Sequence, residues 1–504
     1  MKIMILGIDL GTTYSVCSYI DDKGEPQVIT NMDGQRTTPS VVFFESENSV
    51  VVGQSAKENS VCFPEDVASA IKNHMGDKNY KFVTSAKAEY SPEAISSFIL
   101  TKLVSDANRF LNTDEPLKKV VITIPAYFTD AERTATENAA RIAGLDLVRT
   151  INEPTAAALY YAASSKMDHA NILVYDLGGG TFDVTVIRVD GRDVVVKSTN
   201  GLKKVGGRFF DEKIVDMIND YIQDKYDIDL EDEEYKDVYQ ELFTRAEKAK
   251  ISLSRQEKTT IPIRTGEFKE SFTLQRADLD KIVATLYKRT EYCVTSAIRD
   301  AGLDMKDIDK VILVGGSSRI PYIEENLTKL IGMPLSHEVN PDEVVAMGAA
   351  LFGKYIEAEN DDNKHILDVC SHSIGVVALD RETERKYNHK LIERNSTLPA
   401  VSRLPFKTAS ENQEKIDLSI TEGEFKELSD VRIISESEIE LPPNLPKGSR
   451  GEMEIRLDVS QLVHVWISIP AAGFEKEFKF ERISSMSDSE VEKLTGLIAD
   501  FDVN

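Results

Sequence analysis

Two short stretches carry residue types suited to holding phosphate. Near the N-terminus the chain runs Ile8-Asp9-Leu10-Gly11-Thr12-Thr13-Tyr14, and far downstream Tyr175-Asp176-Leu177-Gly178-Gly179-Gly180-Thr181-Phe182-Asp183. Each reads as an apolar strand, Asp-Leu-Gly, small residues and a second strand. Glycine accepts positive φ and leaves amide N–H groups bare, as an anion-binding nest requires. A carboxylate beside such a nest suits Mg²⁺ held largely through water. Neither stretch is a Walker loop, since no G-x-x-x-x-G-K-[ST] occurs in the sequence. Neither fits the dinucleotide fingerprint, because a strand and not a helix follows the glycines. One such turn could serve geometry alone; two copies point to a pair of similar lobes with a phosphate between them. A third glycine loop, "ILVGGSSRIP" (312–321), follows another buried-strand pattern and could meet the base end of a nucleotide.

The surrounding elements have readable ends. Up to about residue 355, Ile- and Val-rich runs such as "KIMILGIDL", "KKVVITIPA", "ANILVYDLG" and "DKVILVGGS" alternate with helical patterns, an α/β arrangement. Thr129 and Glu132 form a capping box for a helix that Gly144 stops, and Ser91-Pro92 opens another with Ile95, Phe98, Ile99 and Leu103 on one face. A third, long helix ends at Gly302. From about 357 the texture changes: an acidic stretch, "EAENDDNK", reads as a linker. Period-two segments follow, with Ile416, Leu418 and Ile420; Met453, Ile455, Leu457 and Val459; Val463, Val465, Ile467 and Ile469. They predict half-buried antiparallel strands of a compact β domain. The last piece has a Ser487/Glu490 capping box and Val491, Leu494, Ile498 and Phe501 at helical spacing.

Composition narrows the class. The 504 residues suggest two to four domains, and 41% hydrophobic content is enough for real cores. The net charge of −25, from 85 acidic and 60 basic residues, argues against nucleic-acid or anionic-membrane partners. Cys17, Cys62, Cys293 and Cys370 are scattered, with no Cys-x-x-Cys pair, and read as structural thiols in a reducing cytosol. No run approaches the ~20 apolar residues of a membrane span. The expectation is a soluble cytoplasmic protein.

Five motifs in order, "GIDLGTTYS", "NEPTAAAL", "DLGGGTFDV", "VGGSSRIP" and "NPDEVVAMGAA", resemble the DnaK family, the seventy-kilodalton heat-shock chaperones. "LIERNSTLP" and "ENQEKIDLSITEGEF" extend the resemblance into the β domain, so it covers nearly the whole chain. It implies an α/β actin-like two-lobed ATPase domain (1–356), an interdomain linker (357–368), an all-β sandwich that binds extended peptides (369–485), and the start of a helical lid (486–504), a truncated C-terminal helix. The implied activity is slow ATP hydrolysis that switches affinity for extended, unfolded client polypeptides, with ATP/ADP, Mg²⁺ and K⁺ as cofactors.

Residue roles come with the resemblance. Asp9 and Asp176 hold the metal's waters, and Glu153 joins that network. Lys72 matches the catalytic lysine, orienting the attacking water and neutralising γ-phosphate charge; from sequence alone it would be a solvated lysine. Gly11, Thr12, Thr13 and Tyr14, with Gly178, Gly179, Gly180 and Thr181 and the pair Gly206-Gly207, cradle phosphates. Glu247, Lys250, Ser254, Gly315, Gly316, Ser317, Arg319 and Asp342 take the adenosine side. Pro125, Arg133 and Asp368 couple nucleotide to the linker; Val376, Phe406, Ile416 and Leu418 line the client pocket, with Leu379 and Ala409 at the arch.

The chain also departs from the pattern. His365 interrupts the apolar linker run that keeps Ile366 and Leu367. Arg192, Lys197, Lys203, Lys204 and Arg208 stand where the family carries acidic surface, and would repel the basic helix of a usual J-domain protein, leaving at most a specialised one. Shortened segments around Lys72 and Glu267 make the chain more similar to the HscC-type branch, and leave the nucleotide-exchange partner open. Without the rest of a lid, peptide exchange is expected to be fast. Two other readings stand beside this one: a nucleotide-binding holdase or co-chaperone with little hydrolysis, and an actin-like small-molecule kinase.

Overall fold

The computed structural model describes residues 4–113, 115–165, 169–191, 193–358, 366–380, 382–478 and 486–504. His365 and Arg192 therefore lie outside the described residues.

The two aspartate-glycine stretches are the turns of two β-hairpins built on one plan. In the first sheet, Leu6–Asp9 pairs antiparallel with Tyr14–Ile20 and parallel with Lys119–Ile124, which pairs parallel with Asp146–Asn152. In the second, His169–Leu177 pairs antiparallel with Thr181–Asp190 and parallel with Lys310–Val314. Strands so buried on both faces are the continuous Ile/Val runs of the sequence. The helices Glu153–Ser165 and Val344–Glu357 lie between the sheets, in a core shared by Val121 and Ile151 of the first sheet and Ile172, Val174 and Ile312 of the second. They cross at close range: a Cβ on Gly348 would fall 1.9 Å from the Ala156 carbonyl oxygen. A substituted Gly348 would therefore push the sheets apart.

Helix boundaries follow local chemistry. Thr129 caps Asp130–Ile142 in a capping box with Glu132, and Gly144 at φ 68° follows its end. The Ser91 hydroxyl accepts from the Ala94 amide at 3.3 Å, one of the N–H groups that the first turn of Pro92–Leu111 leaves unpaired.

Between Ile374 and Phe478, two four-stranded antiparallel sheets face each other. One runs in the order Lys386–Ile392, Ile374–Leu379, Lys415–Glu422, Arg432–Glu440; the other Ala400–Lys407, Arg450–Leu457, Val463–Ile469, Phe474–Phe478. Val376, Ile420, Ile434, Ile455, Val465 and Ile467 fill the space between them, as the period-two pattern requires.

Ile366–Leu367 forms a parallel strand beside Val194–Val195, extending the second lobe's sheet. The segment read as the beginning of a lid lies against the first lobe. Helix Asp488–Ile498 places Val491 and Ile498 in the core with Phe98, Ala135 and Ala139, and Asp502–Val503 pairs with Ser49–Val50. Its apolar stripe fits a groove between the helices Pro92–Leu111 and Asp130–Ile142.

Candidate functional site

The two hairpin turns meet across a cavity of about 1030 Å³. Their contact is direct: a Cβ on Gly179 would lie 2.1 Å from Thr13 Oγ1, so only a bare backbone fits. The third loop closes on the same point, because a Cβ on Gly315, at φ 77°, would lie 2.9 Å from Asp176 Oδ1. Gly11, Thr12, Thr13, Tyr14, Gly178, Gly179, Thr181, Gly207, Gly315 and Gly316 all line the cavity. Gly180 and Gly206 do not; Gly180 packs on the Asn73 amide and Gly206 on the Gly178 carbonyl, shaping the turn from behind.

Charge is concentrated at the cavity floor. Lys72 is buried, held in a short 3₁₀ turn, with Nζ 2.6 Å from Glu153 Oε1. Burial works against its charge, but Glu153 and Asp9 outweigh that and raise its pKa. Asp9 accepts from Thr123 Oγ1 at 3.0 Å, and is pushed up to about 7 by burial and by Glu153. Asp176 is raised well above the usual carboxylate range, first by burial and then by Glu153, Asp183 and Asp9. One lysine thus faces four carboxylates, three of them buried and Asp9 half-buried, a surplus of negative charge that a bound cation would relieve. Among the described residues no group of three or more His, Cys, Asp or Glu side chains could hold a metal ion directly. A cation between Asp9 and Asp176 would therefore keep most of its water, which suits Mg²⁺.

The far wall is basic and polar. Lys250 Nζ donates to the Gly207 carbonyl at 2.7 Å and to Asp211 at 2.8 Å, and Ser317 Oγ to the Gly178 carbonyl at 2.8 Å. Arg319 Nη2 reaches Asp342 Oδ2 at 2.6 Å and Asn340 Oδ1 at 2.8 Å, leaving its planar guanidinium at the cavity rim. Ser254 also lines this wall, and Glu247 pairs across the cleft with Lys57, whose ammonium touches the Tyr14 hydroxyl. Arg36 and Glu343 close it a second time, bidentate at 2.7 and 2.8 Å. Paired carboxylates, a buried lysine and bare amides around a slot of this size are equipment for a nucleoside triphosphate.

The family model for Hsp70 protein matches residues 5–501. This chain belongs to the Hsp70 family. Hsp70 proteins are ATPases and ATP-dependent chaperones that bind client polypeptides. Among the described residues of this Hsp70, no helix is long and apolar enough to cross a membrane.

The residues read as coupling elements meet at the domain junction. Arg133 is buried; it donates to the carbonyls of Phe128 and Ala126, to Asn152 Oδ1 at 3.1 Å and to Ser371 Oγ at 3.3 Å. Asp368 accepts from Asn152 Nδ2 at 2.9 Å and Thr155 Oγ1 at 3.2 Å. Pro125 starts the turn that carries the Ala126 and Tyr127 carbonyls, which Ser371 and His372 contact from the β domain.

The residues read as a client pocket are spread over three environments. Val376 and Leu418 are sandwich core, Phe406 and Ile416 are half-buried with the Phe406 ring against Gly451, and Leu379 and Ala409 are exposed. The basic face expected to repel a J-domain is also less continuous than the sequence suggests. Lys203 is bound to Glu132 at 2.6 Å and Arg208 lines the interlobe cavity, which leaves Lys197 and Lys204 exposed. Sequence spacing cannot show such neutralisation, because Glu132 comes from another lobe.

Several site residues escaped the sequence reading. Asp183 sits opposite Asp176 in the hairpin, is pushed up to about 7 by burial and Glu153, and accepts the Tyr127 amide at 2.9 Å. The signal was present: it ends the same motif, two residues after Thr181. Glu343 stands inside the quoted "NPDEVVAMGAA" motif without having been singled out, whereas Lys57, Arg36 and Asp211 carry no motif and only the cleft reveals them.

Proposed function

We propose that this Hsp70 hydrolyses ATP slowly in the interlobe cleft of an actin-like domain (1–356), and that nucleotide sets how the linker (357–368) and a β-sandwich client domain (369–485) dock. The observation that carries this reading is the convergence of both glycine hairpins and the Lys72–Glu153 pair on one cavity. The amides of Thr12, Thr13 and Gly179 would bind phosphate oxygens, and Arg319 and Ser254 would hold the adenosine. Asp9 and Asp176 would hold Mg²⁺ through its waters, with K⁺ nearby; the cation supplies charge neutralisation on the phosphates. Lys72, anchored by Glu153, positions the attacking water and offsets γ-phosphate charge, because phosphoryl transfer is chiefly positioning and electrostatics.

The strand pairing of Ile366–Leu367 with the second lobe supports a docked state, and nucleotide shifts its population against an undocked one. Clients would add as extended segments near Leu379 and Ala409, with an aliphatic residue directed toward Phe406 and Ile416. Similarity to the HscC-type branch and a specialised J-domain partner belong to the same proposal. Phosphate release in a single turnover, accelerated by an aliphatic-centred peptide, tests it. No release supports a holdase, and phosphate transferred to a small acceptor supports a kinase.

A further inference from the structure

Arg208 is one of the basic residues that stand where the family carries acidic surface, and the fold sets it on the cavity wall. It follows the Gly206-Gly207 pair in the first turn of helix Gly207–Tyr226. The Gly207 and Arg208 amides donate to the carbonyls of Gly178 and Gly179 at 3.0 and 2.9 Å, which fixes the Arg208 backbone to the glycine turn of the second lobe. Its side chain crosses to the other lobe, where Nη1 donates to Ser69 Oγ at 3.4 Å. Ser69 ends the strand Val67–Ser69, which leads into the 3₁₀ turn Ile71–His74 that carries Lys72. One residue thus touches both the glycine turn and the segment that presents Lys72.

The charge of Arg208 is uncommitted. Lys72, Lys250 and Arg319 each hold a carboxylate at 2.8 Å or closer, whereas Glu212 stands 3.7 Å from Arg208 Nε, beyond hydrogen-bond reach. Ser69 is a neutral partner at the long end of the range, so little is lost when the guanidinium turns away from it. The positive charge is felt on the opposite lobe. His74, its ring 3.7 Å from that of Tyr80, has its pKa lowered by burial, and by Arg208 and Lys204 against the opposing pull of Asp77.

We propose that Arg208 is the residue by which the cleft distinguishes a nucleoside triphosphate from a diphosphate. Its guanidinium leaves Ser69 and pairs with the terminal phosphate, which is then held by Lys72 from one lobe and Arg208 from the other. A planar guanidinium meets two phosphate oxygens at once, a match that an ammonium makes only as a point charge. Its place in the cavity suits that end of the nucleotide, because Arg319 and Ser254 stand on the adenosine wall while Arg208 reaches toward the Lys72 segment. Once the terminal phosphate has left, a diphosphate no longer spans the two cations, and Arg208 returns to Ser69. This role rests on the reading of the cleft as an ATP site.

Calorimetry on the full chain with Mg²⁺ tests it, in the parent, Arg208→Gln and Arg208→Lys. The ligands are ADP and adenylyl imidodiphosphate, a triphosphate analogue that is not hydrolysed, so the reading does not depend on turnover. Arg208→Gln should bind the triphosphate analogue at least about tenfold more weakly than the parent, with ADP affinity changed less than about twofold. Arg208→Lys, which keeps the charge but not the fork, should fall between the two. An unchanged ratio of the two affinities in Arg208→Gln overturns the proposal, whether both fall together, as for a structural residue, or neither moves. A ratio in Arg208→Lys no better than that of Arg208→Gln overturns it as well, because the role is one of charge. A parent chain that binds neither nucleotide refutes the ATP reading of the cleft, and this role with it. An unchanged ratio against a parent that binds both refutes the role of Arg208 alone.

Discussion

Replacing His372 with leucine should uncover a pH response in domain docking that the parent chain conceals. His372 Nε2 meets the Tyr127 carbonyl at 3.2 Å, with its ring 4.3 Å from the Tyr127 ring, at the domain junction. Burial, reinforced by Lys203 and Arg133 and opposed by Glu132, pushes its pKa from 6.5 down to about 4. Glu422, across the same junction, accepts the Asp130 amide at 3.1 Å. Burial and Asp130, opposed by Arg432, push its pKa from 4.5 up to about 7. On undocking, both groups return to water and to their ordinary values. A proton on His372 favours the undocked state, so its contribution to docking is intact above pH 6.5 and lost as pH falls toward 4. A proton on Glu422 favours the docked state, so its contribution is full below pH 4.5 and lost as pH rises through 7. Each shift is worth at most about 3 kcal/mol, and about 2 for His372, which keeps some solvent contact. The two slopes oppose each other over nearly the same window, so docking in the parent chain should vary little with pH. In His372→Leu, docking should strengthen about thirtyfold or more as pH falls from 7.5 to 5, and in Glu422→Gln it should weaken over the same range. Energy transfer between dyes on the first lobe and the β domain reads the docked fraction. Identical pH profiles for the parent and both variants would refute the reasoning.

Gly179→Val places a side chain against Thr13 Oγ1, 2.1 Å from where its Cβ must sit; overpacking of about 1–3 kcal/mol should weaken ATP binding ten- to hundredfold by calorimetry. Lys57→Ala removes the cross-cleft pair with Glu247; ADP release in stopped flow should accelerate several-fold, with the hydrolysis step unchanged. Ile455→Ala hollows the fully buried centre of the β sandwich and should cost about 2–5 kcal/mol in that domain's unfolding, while ATP affinity stays at the parent value.

Much of the cleft was legible in the sequence because its loops are constrained locally. A turn that must present bare amides needs glycine, and Asp9 and Asp176 stand at the same place in both turns. Helix ends were legible for the same reason: the Thr129/Glu132 and Ser487/Glu490 boxes satisfy N–H groups within four residues of chain. What the sequence could not show depends on distant pairing. Nothing near Lys203 announces Glu132, nothing near Lys57 announces Glu247, and the alternation that marks Val376 and Leu418 as inward-facing does not separate core from client pocket. The final segment was read correctly as an amphipathic helix. Its apolar face carries no address, so its partner in the first lobe appears only in three dimensions.

The central claim is that the Lys72–Glu153 pair works on a phosphate held between two glycine hairpins, under the control of a bound chain. Single-turnover hydrolysis of γ-labelled ATP, with and without an aliphatic-centred peptide, tests it most directly. The account predicts slow release of inorganic phosphate, faster with peptide, and its loss in Lys72→Ala with ATP affinity retained. Phosphate release by Lys72→Ala at the parent rate would contradict it.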